Sequence, residues 1–229
     1  KTDATHSVLE SVISGLIEPR QDAPESYKPT LISNRPGDLT MHDEISDALT
    51  NSDSFDISVA FVSPDAILSL FEDFRSHHAN APDQVSRLIT STKNHFNDPR
   101  AFWELLHLQR TAGVDVRVWA GSDSSVSVAQ GQPFHPKGYV FSRRMRNGTP
   151  YYDLFVGSSN LTGAALNTQR EWNLKVSSLA KGELVAQVRD EIDSQIADSK
   201  PLTEEWIKQY EEEEVRAATA RHSEVPRRP

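Results

Sequence analysis

The chain contains no cysteine. That absence excludes disulfide frameworks, thiolate zinc sites and cysteine nucleophiles together. It is compatible with a reducing compartment. No apolar run approaches the ~20 residues that a membrane span requires. No charged and then apolar leader follows Lys1, so the sequence reads as lacking a signal or transit segment. Phosphate-loop motors are excluded too, since no Gly-x-x-x-x-Gly-Lys-Ser/Thr run occurs. No internal repeat is visible. Basic residues are the minority, 24 Lys and Arg against 33 Asp and Glu, for a net charge of −9. The pI near 5.4 argues against a generally basic nucleic-acid coat protein. It leaves room for a basic site confined to one stretch.

What is present is enough chain, 229 residues, for one substantial domain with or without an appendage. Residues 8–17 predict a short amphipathic helix, followed by a Pro- and charge-rich link to about 28. Thr40 with Asp43 three residues on makes a capping pair for a helix through Leu49. Residues 57–62 read as a strand, closed by Pro64. Ile67, Leu68, Leu70, Phe71 and Phe74 then predict one helix. A strand over 85–89 follows, then a helix opened by Asp98-Pro99 and stopped at Gly113, then a strand over 114–119.

This alternation predicts right-handed crossovers and an α/β fold with a mixed, mainly parallel sheet between helical layers. Two further strands, 134–141 and 151–156, are joined across Asn147-Gly148, a hairpin signal. A last strand lies around 172–176, and a charged helical tail runs from Gly182 to about His222. The expected boundaries are 1–28 for an N-terminal helix and linker, 29–180 for the domain, and 181–229 for a helical extension. The Pro- and Arg-rich end at 224–229 reads as a linker, and so as a fragment of a longer polypeptide.

Three short segments can carry chemistry. His135 and Lys137 stand two apart on a strand and so share a face. There an imidazole serves as nucleophile or proton donor, and an ammonium holds a phosphate oxygen. Gly157-Ser158-Ser159-Asn160 follows a strand end, where hydroxyl, amide and N–H groups gather around an anion. Glu171 precedes the last strand and is placed to hydrogen-bond a ring nitrogen of His135, fixing its tautomer. Each segment alone also reads blandly, as an edge-strand pair, a polar turn and a solvent-facing carboxylate.

Together, in the order His135-x-Lys137, Gly157-Ser158-x-Asn160 and Glu171, they resemble the phospholipase D superfamily, and within it the small single-motif nucleases. The resemblance spans about 30–180. It implies that His135 attacks a phosphodiester phosphorus to give a phosphohistidine. It implies that Lys137, Asn160 and Ser158 stabilise the non-bridging oxygens, and that Glu171 orients His135. A second His must protonate the leaving oxygen. Only one His-x-Lys is present, so the resemblance implies a two-fold homodimer that needs no metal or other cofactor. Domains similar to this one stand at the N-terminus of bacterial superfamily-two (DEAD/DEAH-type) helicases and in restriction-type nucleases. That context implies DNA as partner, a covalent downstream helicase domain, no membrane, and a cytoplasmic, bacterial setting.

The sequence departs from the family pattern at Ser142, which stands where the family has Asp, and in a longer link carrying Arg143, Arg144 and Arg146. These arginines read either as a solvated turn or as contacts to a nucleic-acid backbone. Ser159 and Thr92 are further candidates to line the substrate; Thr92 belongs to the Thr90-Ser91-Thr92-Lys93 strand end. His42, His77, His78, His95 and His107 lack the carboxylate spacing of a metal site and read as ordinary surface residues. Trp119 and Trp172 read as core or interface residues, and the 211–214 Glu run as a solvated helix face. Residues 135–175 hold six basic residues against Asp153 and Glu171, a local +4, whereas 180–229 hold eight basic and twelve acidic, −4. Two functions follow: a metal-independent nuclease, or a module of the same build that binds DNA or a partner with little turnover. A lipase, which pairs two motifs in one long chain with an interfacial apolar surface, comes third.

Overall fold

The computed structural model describes residues 29–92, 97–119, 133–145 and 147–223. The helix expected over 8–17, and Lys93, His95 and Arg146, lie outside the described residues. In chain order the elements are β1 (Thr30–Ile32), α1 (Met41–Thr50), β2 (Ser54–Val59), α2 (Pro64–Ser69), α3 (Phe71–Asn80), β3 (Arg87–Thr90), α4 (Pro99–Ala112) and β4 (Asp115–Trp119). They continue with β5 (Lys137–Arg144), β6 (Pro150–Gly157), α5 (Gly163–Asn167), β7 (Asn173–Leu179), α6 (Glu183–Ala197), β8 (Ser199–Pro201) and α7 (Glu204–Ser223).

Local signals set the helix ends. Thr40 N donates to Asp43 Oδ2 at 2.8 Å and Asp43 N to Thr40 Oγ1 at 3.2 Å, a reciprocal cap that starts α1. The Asp98 carboxylate caps α4 through Arg100 N at 2.9 Å. Gly113 ends that helix at φ 63°, a left-handed conformation that glycine adopts without Cβ strain. The single helix expected across 67–74 is two, because the backbone of Leu70 leaves the helical region at φ −101°, ψ 5°. The break lets Ile67 of α2 and Phe74 of α3 reach one core.

The eight strands form one mixed sheet in the order β1-β7-β6-β5-β2-β3-β4-β8. The α/β class holds, but parallel pairing is confined to β2–β3 and β3–β4. The other five neighbour pairs are antiparallel, so the sheet is not mainly parallel. The strand–helix–strand rhythm extends only through β4. The Gly148 turn then folds β6 back on β5, and β5 lies antiparallel against β2.

One face of the sheet carries the main core, where Phe55, Phe102, Tyr139, Phe141, Phe155 and Tyr210 are fully buried. On the other, α6 lays Val185 and Ile192 over Ile89, Val140 and Leu154. Residues 183–210 therefore pack against the sheet and its main core rather than standing apart as an extension. β8 pairs with β4, and Leu202, Ile207 and Tyr210 sit in the main core. Tyr210 donates to Asn97 O at 2.8 Å, and Trp103 Nε1 to Glu211 Oε1 at 2.7 Å. The charge of α7 masks an inward face carried by Ile207 and Tyr210, three residues apart.

His77 is buried rather than a surface residue. Its Nδ1 lies 3.1 Å from Leu49 O and its Nε2 2.9 Å from Ser86 Oγ. Burial, more than the nearby His78, pushes its pKa below the ordinary 6.5. The fold thus holds a neutral ring while the unfolded chain takes up a proton, so the stability His77 contributes is complete above pH 6.5 and lost as pH falls below it. Thermal unfolding followed from neutral pH downward should show this acid loss, and His77→Gln should flatten it. Tyr210→Ala should lower unfolding stability by about 3 kcal/mol. A loss of a few tenths would mean that α7 is dispensable.

Candidate active site

Register brings the three segments to one sheet edge. Val59 pairs with Lys137, Gly138 with Val156, and Gly157 with Asn173. The start of β5, the end of β6 and the start of β7 therefore meet at the carboxyl end of β2, where ligands of parallel strands gather.

The backbone just past β2 fastens these pieces. Ala60 N donates to Pro136 O at 3.1 Å, between His135 and Lys137. Phe61 N donates to Asn160 Oδ1 at 3.2 Å. Leu161 N donates to Phe61 O at 3.1 Å, and Ser63 N to Leu161 O at 3.0 Å. Asn97 is buried and holds this segment from behind. Its Oδ1 accepts from Val62 N at 2.8 Å, and its Nδ2 donates to Ser91 O at 2.5 Å. Sequence reasoning passed over Phe61 and Asn97. Phe61 reads as one more apolar strand residue, and nothing local marks Asn97.

Lys137 Nζ stands 3.0 Å from Nδ1 and 3.2 Å from Nε2 of His135. The Phe61 ring meets the imidazole edge-on, centroids 5.7 Å apart. Asn160 spends its oxygen on Phe61 N, which leaves its Nδ2 as a donor for an anion. Ser158 is exposed, donates through Oγ to Glu171 Oε2 and accepts from Trp172 N at 2.9 Å. Glu171 thus bonds Ser158 rather than His135, since β7 delivers it beside the Gly157 turn. Its charge also adds to burial in pushing the Tyr139 hydroxyl upward.

Other candidates fall elsewhere. Ser159 is buried, takes Asn173 Nδ2 at 2.8 Å and donates to Ala165 O at 3.2 Å, so it faces the protein and not a substrate. Thr92 is at the same edge but buried, and offers no hydroxyl to solvent. Arg143 and Arg144 close β5 at its far end, ~23 Å along the strand from Lys137. They are consumed in ion pairs, Arg143 with Asp153 at 2.8 Å and Asp47 at 3.4 Å, Arg144 with Asp53 at 2.7 Å. Ser142 is five residues, ~17 Å, along the strand from Lys137 and opposite Ser54 and Tyr152, so its departure from the family Asp does not touch the site. Lys175 pairs with Glu44 at 2.7 Å, so the local excess of basic residues does not reach the edge as free charge.

Among the described residues no group of three His, Asp or Glu converges as a metal site, and no helix is long and apolar enough to cross a membrane.

The family model described as "Cardiolipin synthase, PLD-like domain" matches residues 43–196, more than half of the sequence. The chain belongs to the phospholipase D-like family. A comparison with curated proteins finds no match. Among solved structures, NucT from Helicobacter pylori is 13% identical and superposes with a TM-score of 0.54 over 76% of this chain and 98% of its own. The phospholipase D family member Nuc from Salmonella typhimurium gives 13%, 0.49, 76% and 98%. Polyphosphate kinase from Porphyromonas gingivalis, also 13% identical, gives 0.52 over 80% of this chain and 29% of that one. At these identities the likeness to NucT and to the kinase is one of fold. The family match also runs past residue 180 into α6, in step with the packing of that helix.

Gly157 is the residue this edge tolerates least. A Cβ there would stand 2.6 Å from both Asn173 Cα and Asn173 Oδ1, and would strike Trp172 O. Gly157→Ala should therefore lower the melting temperature and expose Trp172 to altered fluorescence, whereas Gly138→Ala, with open space at its Cβ, should leave both unchanged.

Proposed function

We propose that the chain is a metal-independent phosphodiesterase acting on DNA through a phosphohistidine, and that it works as a homodimer. The observation that carries this reading is the meeting of the segments that hold His135, Lys137, Asn160 and Ser158 at one sheet edge. A ring nitrogen of His135 attacks phosphorus; the P–N bond forms as the P–O bond to the leaving oxygen breaks. Lys137 Nζ, Asn160 Nδ2 and the backbone near Ser158 hold the non-bridging oxygens as their charge grows. The departing oxygen takes a proton from the imidazole of a second copy. Water then splits the P–N bond and restores His135. Glu171 acts through Ser158, fixing its hydroxyl against the Gly157 turn. On the sequence resemblance, the setting is a larger helicase- or restriction-related protein.

A second reading has one observation in its favour. With Arg143 and Arg144 tied up and Glu171 engaged by Ser158, the edge also suits a module that binds DNA or a partner without fast turnover. Incubation with plasmid and single-stranded DNA in EDTA separates the two. Cleavage should persist in EDTA and fall by ~10³-fold or more in His135→Ala, as for loss of a nucleophile. Equal background in both proteins would leave only the binding module.

A further inference from the structure

Thr90, Ser91 and Asn97 are polar side chains buried almost completely, and the reaction above uses none of them. All three donate to one atom. Ala60 O accepts from Ser91 Oγ at 3.0 Å, from Thr90 Oγ1 at 3.3 Å and from Asn97 Nδ2 at 3.3 Å. A carbonyl oxygen has two lone pairs, so three donors exceed what satisfying it requires. This carbonyl shares its peptide unit with Phe61 N–H, which donates to Asn160 Oδ1 at 3.2 Å. One planar unit therefore has three donors behind it and the Asn160 amide in front. Ala60 N, on the preceding unit, donates to Pro136 O at 3.1 Å, so the residue gripped here also fastens the strand start that carries His135 and Lys137.

We propose that Thr90, Ser91 and Asn97 are positioning residues that hold the Asn160 amide with its Nδ2 toward the phosphate; the inference rests on the phosphohistidine reading above and names what aims that amide. A trans peptide is planar, so holding its oxygen fixes the direction of its N–H. Turned over, the unit would aim its N–H at three donors and its oxygen at Asn160, and the bonds at both ends would be lost. Held as it is, the N–H takes the oxygen of Asn160, because the amide nitrogen would set donor against donor. Nδ2 is then the end left for a non-bridging oxygen. Hydrogen bonds that follow one another through a dry interior also polarise each other, so the donors on Ala60 O make Phe61 N–H a better donor to Asn160. The polar strand end at 90–91 thus works behind the edge, through backbone, and touches no substrate.

The test follows amide signals by NMR in the isotope-labelled full chain, beside the EDTA cleavage assay. Thr90→Val with Ser91→Ala removes both hydroxyls and leaves Asn97 as donor to Ala60 O, so the carbonyl keeps a partner. The Phe61 amide proton should move upfield as its bond to Asn160 weakens, and kcat/KM should fall by about tenfold. In an Asn160→Ala background the same pair of changes should cost nothing further, because the residue they position is gone. Ser86→Ala, which removes a buried hydroxyl bonded to Phe55 N at the start of β2, is the control. It should lower the melting temperature and leave the Phe61 signal and cleavage as they are. Should the double variant fail to fold, Ser91→Ala alone is read in the same way, with about threefold in place of tenfold. An unmoved Phe61 amide overturns the inference whether or not the wild type cleaves. So do losses that multiply with Asn160→Ala, which mark a structural role alone. A wild type that cleaves nothing overturns the phosphohistidine reading, and the Phe61 amide then decides the positioning by itself.

Discussion

Four residues of backbone, 60–63, carry the site. Every N–H and C=O that leaves a sheet must find a partner or water. Here the chain past β2 spends these groups on Pro136, Asn160 and Leu161, one partner from the His-x-Lys segment and two from the Gly-Ser-x-Asn segment. The two segments are far apart from β2 in sequence, so nothing local fixes their relative position. The shared ladder does, and the parallel bridge Val62–Leu161 adds a further tie. Asn97, held in turn by Tyr210 of α7, stops the ladder from moving away from β3. Helix α7 is thereby linked, through two hydrogen bonds, to the backbone segment that fastens the His135–Lys137 strand start.

Charge follows a different logic from the one composition suggests. Of the basic residues over 135–175, Arg143, Arg144 and Lys175 are spent on ion pairs. Arg143 with nearly buried Asp153, and Lys175 with Glu44, are paired where desolvation would make an unpaired ion costly. The edge itself needs little free charge. The charged group beside His135 is the Lys137 ammonium, 3.0 Å from its Nδ1.

The sequence made legible what depends on nearest neighbours. The Thr40–Asp43 cap, the Asp98-Pro99 start, the Gly113 stop and the Asn147-Gly148 hairpin are all local chemistry, and each stands where it was expected. So does the facing of His135 and Lys137. Properties set by long-range pairing were not legible. Whether β5 lies parallel or antiparallel to β2 is decided by where the chain returns after β4, and no residue near β5 encodes it. Ser159 and Ser158 are chemically alike, but extended backbone turns alternate residues to opposite sides, so one hydroxyl meets Glu171 and the other Asn173. The tail misled because Ile207 and Tyr210 are diluted among glutamates.

The site lies where the sheet changes character. To one side of the β2–β5 seam strands run parallel and their loops leave together; to the other, antiparallel hairpins turn back. At this seam a strand end, β2, and a strand start, β5, stand side by side at one edge. The strand end supplies the ladder, and the strand start supplies paired side chains on a rigid register.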